Sequence, residues 1–245
     1  DADAGKMLEE RFSYVYPYRQ LADIPVKMSV SELKRTGEDD SGDELYYEPD
    51  QIPYIPKFMR EEEDEEGGAA RGTVYHKVFE NLDYLRLTGT IEKPYAELKR
   101  QIDEMAEDKK LSENDAERVW IKDFVQFLHT DIGRRMCRAG AAGKLFREQP
   151  FVMGIPASDV NAEWPTEELV LVQGIIDAYF EEEGQLVLVD YKTDRVSGPD
   201  GNELIVRYQK QLLYYKKALQ QITGKKVKET DIYSVRLGRK IEISN

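Results

Sequence analysis

Residues 169–194, LVLVQGIIDAYFEEEGQLVLVDYKTD, decide the fold of this chain. Two apolar runs flank a charged turn at residues 182–185, and this arrangement is typical of a β-hairpin. A two-residue loop formed by Glu183-Gly184 would place Asp177 directly opposite Asp190. The sequence therefore predicts two carboxylates that face each other across a pair of strands.

These two carboxylates call for a compensating cation. Like charges directly opposite each other destabilise a strand pair, and Lys192 points to the same face as both. Oxygen ligands favour Mg²⁺ or Mn²⁺, so a divalent metal is the simplest candidate. Two alternatives stay open. A loop of different length would put Asp177 and Asp190 on opposite faces, or both are surface groups at strand ends, one of them paired with Lys192.

The remaining sequence predicts further helices and strands. A capping-box pattern at Ser29 and Glu32 predicts a short helix that starts near Ser29. Periodicity predicts helices over residues 74–85, 94–107, 112–138 and 203–222, the last closed by Gly224, and strands over residues 145–154, 169–180, 186–191 and 231–237. This order indicates an α/β fold, a small mixed sheet flanked by helices, with an added N-terminal helical region.

The same periodicity assigns an inward face to each of the three main helices. The inward residues are Val74, Val78, Leu82 and Leu85 in the first, Val119, Trp120, Phe124, Phe127 and Leu128 in the second, and Leu204, Tyr208, Gln211, Leu212, Tyr215, Leu219 and Ile222 in the third.

Charge is unevenly distributed along the 245 residues, whose formal net charge is −13. Residues 38–66 hold 13 acidic residues and two basic ones, whereas residues 192–245 hold 12 basic residues against six acidic ones. We expect residues 36–70 to be a disordered acidic linker or loop between an N-terminal connector, 1–35, and a folded domain, 71–245. Alternatively, the acidic segment mimics DNA and competes for the basic C-terminal segment, which would attract a polyanion.

Several classes of protein and site are excluded or disfavoured by composition. The single cysteine, Cys137, is incompatible with an internal disulfide and with a four-cysteine iron–sulfur cluster. No apolar run is long enough to span a membrane, and the N-terminus lacks a signal segment, so we expect a soluble cytoplasmic protein. The nucleotide-binding pattern G-x-x-x-x-G-K-[ST] does not occur, so we expect no ATPase site in this chain.

Four short motifs carry a family resemblance. They are Gly72-x-x-x-His76, Gly174-x-x-Asp177, Asp190-Tyr191-Lys192 and Gln211-x-x-x-Tyr215. In this order they resemble the motif series of the RecB-like nucleases of the PD-(D/E)XK (restriction-endonuclease-like) superfamily. The flanking segments RGTVYHKVFE, REQPF and QLLYYKKAL are more narrowly similar to the C-terminal nuclease domains of the AddA family, the larger helicase/nuclease chains of bacterial ATP-dependent complexes. The resemblance implies the nuclease part of a larger polypeptide.

The resemblance also implies roles for individual residues. The implied metal ligands are His76, Asp177, Asp190 and the main-chain carbonyl of Tyr191, and the implied catalytic residues are Asp177, Asp190, Lys192, Gln211 and Tyr215. Glu80 and Glu148 are candidates for contacts beside the ligands, and Arg195, Arg207 and Lys210 for contacts to DNA phosphates. Lys192 would orient or deprotonate the attacking water, or neutralise developing charge. Without the resemblance, His76, Gln211 and Tyr215 are equally structural residues.

The activity that the resemblance implies is a Mg²⁺-dependent exonuclease, with Mn²⁺ as an alternative metal. It would hydrolyse single-stranded DNA fed by a helicase in double-strand break repair and recombination. The implied partners are DNA, the helicase portion of the same polypeptide and a second, AddB-like subunit. Two alternatives remain: a catalytically idle DNA-binding or scaffolding module of the same fold, and a nuclease that acts on RNA or nucleotides. Loss of an aspartate or the lysine from the motifs would favour the idle module, and none is lost.

Overall fold

The structure, a computed structural model, describes residues 21, 24–35 and 68–243. The strands in this part of the chain are β1 (Lys27–Ser29), β2 (Leu145–Pro156), β3 (Leu169–Glu182), β4 (Gln185–Lys192), β5 (Val227–Ser234) and β6 (Arg239–Glu242). The α-helices are α1 (Val30–Arg35), α2 (Gly68–Asn81), α3 (Tyr84–Thr88), α4 (Tyr95–Glu107), α5 (Glu113–Arg118), α6 (Ile121–His129), α7 (Asp131–Ala141) and α8 (Asn202–Thr223). A 3₁₀ turn, Ala157–Asp159, follows β2.

The strands form a mixed sheet in the order β1-β3-β4-β5-β6, and β2 also pairs with β3. The pairs β1–β3 and β4–β5 are parallel, whereas β3–β4 and β5–β6 are antiparallel. This architecture confirms the predicted α/β fold with a mixed sheet and flanking helices. The chain divides into two compact units, one made of residues 1–38 and 152–173 and the other of residues 39–151 and 174–245.

The hairpin between β3 and β4 has the predicted register. Glu183 and Gly184 form the loop with φ angles of 55° and 77°, and Glu182 pairs with Gln185. Positive φ at both loop positions is typical of the tight turn whose twist matches that of the flanking strands. The ladder continues to Ala178 opposite Val189 and stops one residue before Asp177 would meet Asp190. The predicted register is therefore confirmed, although the two aspartates themselves do not form a ladder pair.

Helices α2 to α7 pack against one face of β4 and form the core of the larger unit. The ring of Phe79 in α2 stacks on that of Tyr191 in β4, with centroids 3.9 Å apart and planes 2° from parallel. Phe124 and Phe127 of α6 surround Phe79 at centroid distances of 4.8 and 5.0 Å. Burial of each such side chain stabilises the fold by about 1.5–3 kcal/mol. The aromatic cluster therefore fixes α2 relative to the end of β4.

The predicted helix over residues 112–138 is wrong in its continuity. Three helices occupy this stretch, because Val119 and Trp120 adopt extended backbone conformations and Thr130 starts a new helix by accepting a hydrogen bond from the Gly133 amide at 3.2 Å. The break changes which side chains face inward. Val119 is buried, but Trp120 is 62% exposed, contrary to the prediction.

Other expectations for the helices are partly confirmed. The capping box holds, since Ser29 and Glu32 each donate a backbone amide to the other's side chain, at 2.6 and 3.1 Å. Leu85 and Ile222 are exposed, because Leu85 lies in the separate helix α3 and Ile222 lies in the last turn of α8. Gly224 ends α8 in the left-handed conformation, as predicted.

The C-terminal elements extend beyond the sequence prediction. Strand β5 begins at Val227, four residues earlier than expected, and β6 was not predicted. The acidic segment at residues 36–67 lies outside the described residues. None of the helices in the described part of the chain combines the length and apolar composition needed to cross a membrane.

A network of ion pairs joins α7 to the hairpin and to β5. Arg135, only 10% exposed at its side chain, donates hydrogen bonds to Glu182 at 2.8 Å and to Glu229 at 2.7 Å. Lys240 of β6 contacts Glu229 as well, and Lys228 contacts Glu182 at 2.8 Å. The hydrogen bond from Arg135 lowers the pKa of Glu182 to about 2, against the opposing effect of burial. These contacts occupy several of the basic residues in the C-terminal segment.

Candidate metal centre

Asp177 is held by the backbone at the end of β4. Its Oδ2 atom accepts a hydrogen bond from the Tyr191 amide at 2.8 Å. This bond forms because the β3–β4 ladder has ended and the carboxylate takes the place of a strand carbonyl. Its position is therefore tied to that of Tyr191, whose ring lies in the core.

His76 reaches Asp177 from helix α2. Its Nδ1 atom lies 3.4 Å from Asp177 Oδ1, and 26% of its side chain is exposed. Burial alone would lower the pKa of His76, but the charge of Asp177 and the hydrogen bond to it outweigh that effect and raise the pKa to about 9. The pair is therefore an ion pair at neutral pH when only the protein groups are present.

Glu148 of β2 joins these two residues. Ligand atoms of His76, Glu148 and Asp177 all lie within 4.8 Å of one another, close enough to share one metal ion. The backbone of Glu148 has a φ of 44°, in the left-handed region that residues other than glycine rarely adopt. Such strain is concentrated at functional sites. Glu80, the other acid expected near the ligands, is exposed on α2 and does not belong to this group.

Asp190 is a buried carboxylate with little compensation. It is 1% exposed, and Lys192 Nζ lies 3.1 Å from its Oδ2 atom. Neither of its oxygens has a well-directed hydrogen bond among the described residues. Burial, and then the charge of Asp177, raise the pKa of Asp190 to about 7, although Lys192 opposes them. A buried carboxylate of this kind fits a divalent cation, which would supply the missing charge.

Lys192 lies between the carboxylates and helix α8. Its side chain is 9% exposed, and Nζ lies 4.5 Å from the centroid of the Tyr208 ring. Burial lowers the pKa of Lys192, but Asp190 and Asp177 together raise it well above its usual value. Lys192 is therefore a cation in this arrangement.

Gln211 and Tyr215 lie one turn apart on α8 and contact each other. Gln211 Nε2 donates a hydrogen bond to the Tyr215 hydroxyl at 2.8 Å. Tyr215 packs edge-on against Phe151, and a Cβ atom at Gly174 would lie 2.9 Å from Phe151 and 3.2 Å from Tyr215. Gly174 is therefore needed for the close approach of both aromatic rings to β3.

The residues expected to contact phosphates are spread along the segment that leads into α8. Arg195 is exposed, and Lys210 is half-buried. Arg207, 39% exposed at its side chain, donates a hydrogen bond to Asp194 at 2.8 Å. The structure does not bring these three into contact with His76, Asp177 or Asp190.

Sequence reasoning missed the contribution of Tyr208 and Asp194. Tyr208 was assigned only to an inward helix face, and Asp194 was given no role. The Tyr208 hydroxyl donates a hydrogen bond to Asp194 at 2.8 Å while its ring contacts Lys192. Spacing contained a partial signal, since Asp194 follows Lys192 by two residues and Tyr208 precedes Gln211 by three.

Comparison with known proteins agrees with this geometry. A family model described as the PD-(D/E)XK nuclease superfamily matches residues 51–242. The chain is 40% identical over 230 residues to the AddA-type ATP-dependent helicase/nuclease of Alkaliphilus metalliredigens, covering 92% of this chain and 18% of that relative. The corresponding helicase/nuclease chain of Acetivibrio thermocellus is 36% identical over 229 residues, covering 91% of this chain and 17% of the relative.

A third relative extends the match. The corresponding ATP-dependent helicase/nuclease chain of Lachnoclostridium phytofermentans is 31% identical over 313 residues, covering 98% of this chain and 22% of the relative. The chain thus spans about a fifth of the length of the curated relatives that it matches. The family match runs well beyond half of the chain and includes His76, Asp177 and Asp190. The chain therefore belongs to the PD-(D/E)XK nuclease superfamily.

Proposed function

We propose that this chain is a metal-dependent deoxyribonuclease domain that hydrolyses phosphodiester bonds of single-stranded DNA. It acts as an exonuclease on strand supplied by a helicase, in double-strand break repair and recombination. The observation that carries the proposal is Asp190, a buried carboxylate without a well-directed hydrogen bond among the described residues, next to Lys192 at the end of β4. The family match supports nuclease chemistry, and the names of the relatives support a link to a helicase.

The metal would be held by the residues that already converge. His76, Glu148 and Asp177 offer one ligand atom each, and Asp190 and the main-chain carbonyl of Tyr191 would complete the set. Carboxylate ligands favour Mg²⁺, with Mn²⁺ as the alternative that better accommodates the imidazole of His76. When bound, such an ion polarises the phosphoryl oxygens and lowers the pKa of a water ligand.

Lys192 would act through its charge. Its pKa is raised by Asp190 and Asp177, so the ammonium form is stabilised and deprotonation of water by Lys192 is disfavoured. Its Nζ atom would donate hydrogen bonds to the phosphate or to the attacking water. The negative charge that develops on the phosphate oxygens would thereby be neutralised.

Residues of α8 and of the preceding segment would hold the strand. Gln211 and Tyr215 would lie beside the scissile phosphate, and Arg195, Arg207 and Lys210 would bind the flanking phosphates. Phosphate contacts carry no sequence information, which suits an exonuclease that degrades a strand regardless of sequence. A single strand fits this role because a paired strand must be separated before one backbone enters the site.

The wider assembly belongs to the same proposal. The relatives are named as helicase/nuclease chains and are about five times longer than this chain, so a helicase portion of the same polypeptide would deliver the strand. A second, AddB-like subunit would complete the complex. Residues 71–245 would form the nuclease domain, and residues 36–70 the acidic linker that joins it to an N-terminal connector at 1–35.

The test is a digestion assay with end-labelled single-stranded DNA, blunt duplex DNA and RNA of the same sequence, with Mg²⁺, with Mn²⁺ and with EDTA. We expect metal-dependent shortening of the single strand from its end, slow digestion of the duplex and little digestion of RNA. Asp190→Asn should abolish the activity, whereas the exposed matched control Asp103→Asn should retain it. DNA binding without hydrolysis in any metal would instead identify an idle binding module.

A further inference from the structure

A second feature of the larger unit bears on how a strand is held. Trp120 lies between α5 and α6 with 62% of its surface exposed. The guanidinium of Arg71 lies over its indole ring, 5.0 Å from the ring centroid. A large aromatic side chain that is both exposed and stacked on a cation is unusual for a residue with a purely structural role.

Arg71 is held firmly beneath the ring. Its Nη2 atom donates hydrogen bonds to Asp123 at 2.9 Å and to the Tyr75 hydroxyl at 3.1 Å. Tyr75 is fully buried and stacks on Phe124 at a centroid distance of 5.1 Å. The Arg71–Trp120 pair is therefore supported by the core, and the orientation of the indole is preset.

The surroundings of Trp120 are positively charged in a protein that is acidic overall. Arg118 and Lys122 flank Trp120 in sequence, and both are exposed. Neither forms an ion pair within the described part of the chain, in contrast to Arg135, Lys228 and Lys240. Exposed cations around an exposed aromatic ring are the combination that proteins use to bind single-stranded nucleic acid.

The pair is also close to the candidate metal centre. Arg71 and His76 lie on the same helix, α2, five residues apart. At 1.5 Å per residue, their Cα positions are separated by about 7.5 Å along the helix axis. A strand with a phosphate at His76 would therefore pass Trp120 within a few nucleotides.

We propose that Trp120, supported by Arg71, is a stacking platform for an unpaired base of the strand that enters the metal centre. The ligand is an unpaired nucleobase, recognised by its aromatic face and not by its hydrogen-bonding edge. Arg118 and Lys122 would attract the adjacent phosphates. This inference rests on the proposed function, because it assigns a subsite to that substrate.

The experiment measures binding without cleavage, in EDTA and at fixed salt. The sequence contains two tryptophans, so Trp164→Phe leaves Trp120 as the only indole reporter. Two probes are compared: an oligothymidylate and an abasic phosphodiester strand of equal length and charge. We expect the oligothymidylate to quench Trp120 fluorescence and the abasic strand to quench it much less, because only the former can stack.

Variants separate stacking from exposed apolar area. Trp120→Ala should weaken oligothymidylate binding about tenfold and leave binding of the abasic strand unchanged, whereas Trp120→Phe should retain most of the affinity. Leu85→Ala, which also removes an exposed apolar side chain, is the matched control and should bind like the wild type. Thermal unfolding of each variant verifies that it is folded.

The possible results are distinguishable. Equal quenching by both probes, or unchanged oligothymidylate affinity in folded Trp120→Ala, would overturn the platform and indicate that Trp120 contacts protein instead. Base-dependent quenching in a chain that cleaves no DNA would retain the platform and refute the proposed hydrolysis. Cleavage by a chain without base-dependent quenching would retain the proposed function and remove only this inference.

Discussion

The Nζ atom of Lys192 lies 4.5 Å from the centroid of the Tyr208 ring. The Tyr208 hydroxyl in turn donates a hydrogen bond to Asp194, which Arg207 also contacts. A cation over an aromatic face is attracted by about 1–2 kcal/mol when it is shielded from water. Tyr208 thus limits the positions that the ammonium group can adopt and directs it toward Asp190.

This arrangement predicts that Tyr208 positions Lys192. Tyr208→Leu should lower kcat about tenfold with a smaller change in KM, because the ammonium is displaced while strand contacts remain. Tyr208→Phe keeps the ring and should lose much less. Steady-state cleavage of a short single strand measures both constants. Equal losses in the two variants would show that the hydroxyl, and not the ring, carries the effect.

Asp190→Asn and Lys192→Ala should each abolish DNA cleavage without unfolding the protein. Both changes remove charge from the site, and Asp190→Asn does so without changing side-chain volume. Circular dichroism and thermal unfolding establish the fold, and a labelled single strand measures cleavage. Wild-type rates in either folded variant would contradict the proposed roles.

Metal binding should be visible as added thermal stability. A ligand that binds only the folded state stabilises it by about 2.7 kcal/mol when present at 100 times its Kd. Mg²⁺ or Mn²⁺ should therefore raise the Tm of the wild type and raise that of Asp177→Ala much less, because Asp177 contributes both an oxygen ligand and the contact to His76. Ca²⁺ and Na⁺ at matched ionic strength serve as controls, and identical shifts in both proteins would exclude Asp177 as a ligand.

The Arg135 network predicts a defined dependence of stability on pH. The pKa of Glu182 is lowered to about 2, so its contribution is complete above the unfolded-state pKa of about 4.3 and is lost as the pH falls toward 2. Glu182→Gln should be about 2 kcal/mol less stable than the wild type at pH 7. That difference should shrink progressively below pH 4. Urea unfolding at several pH values tests this, with Asp103→Asn as an exposed control; a constant difference would contradict the assignment.

Gly174→Ala should disturb both stability and the α8 contacts. The added Cβ would lie 2.9 Å from Phe151 and 3.2 Å from Tyr215, and overpacking of this kind costs about 1–3 kcal/mol. Since Tyr215 would have to move, cleavage should fall as well. Gly154→Ala is the matched control, because its Cβ would have an ordinary contact of 3.6 Å with Leu169. Comparable stability of the two variants would refute the close-packing argument.

Local signals in the sequence predicted much of the fold. The turn at Glu183-Gly184 determined the register, because only one alignment of the apolar runs buries the same face along both strands. Ser29 and Glu32 predicted the start of α1 through a contact three residues apart. Such features depend on neighbouring residues and are therefore readable without tertiary structure.

Features that depend on packing between distant segments were not predictable. Trp120 was assigned inward because periodicity was extended across a helix break that is set by the local backbone of Val119 and Trp120. The strained backbone of Glu148 and its approach to His76 require segments far apart in sequence to be folded together. The same holds for the contact of Tyr208 with Lys192, whose partners lie on different elements.

The stack of Phe79 on Tyr191 makes assembly of the metal centre inseparable from completion of the core. His76 is three residues from Phe79, and the amide that holds Asp177 belongs to Tyr191, which follows His76 by 115 residues in the sequence. A nascent chain that has only just emerged from the ribosome thus has the helix but not its aromatic partner. We expect the domain to be latent during synthesis and to acquire metal affinity in one step, when β4 closes on α2.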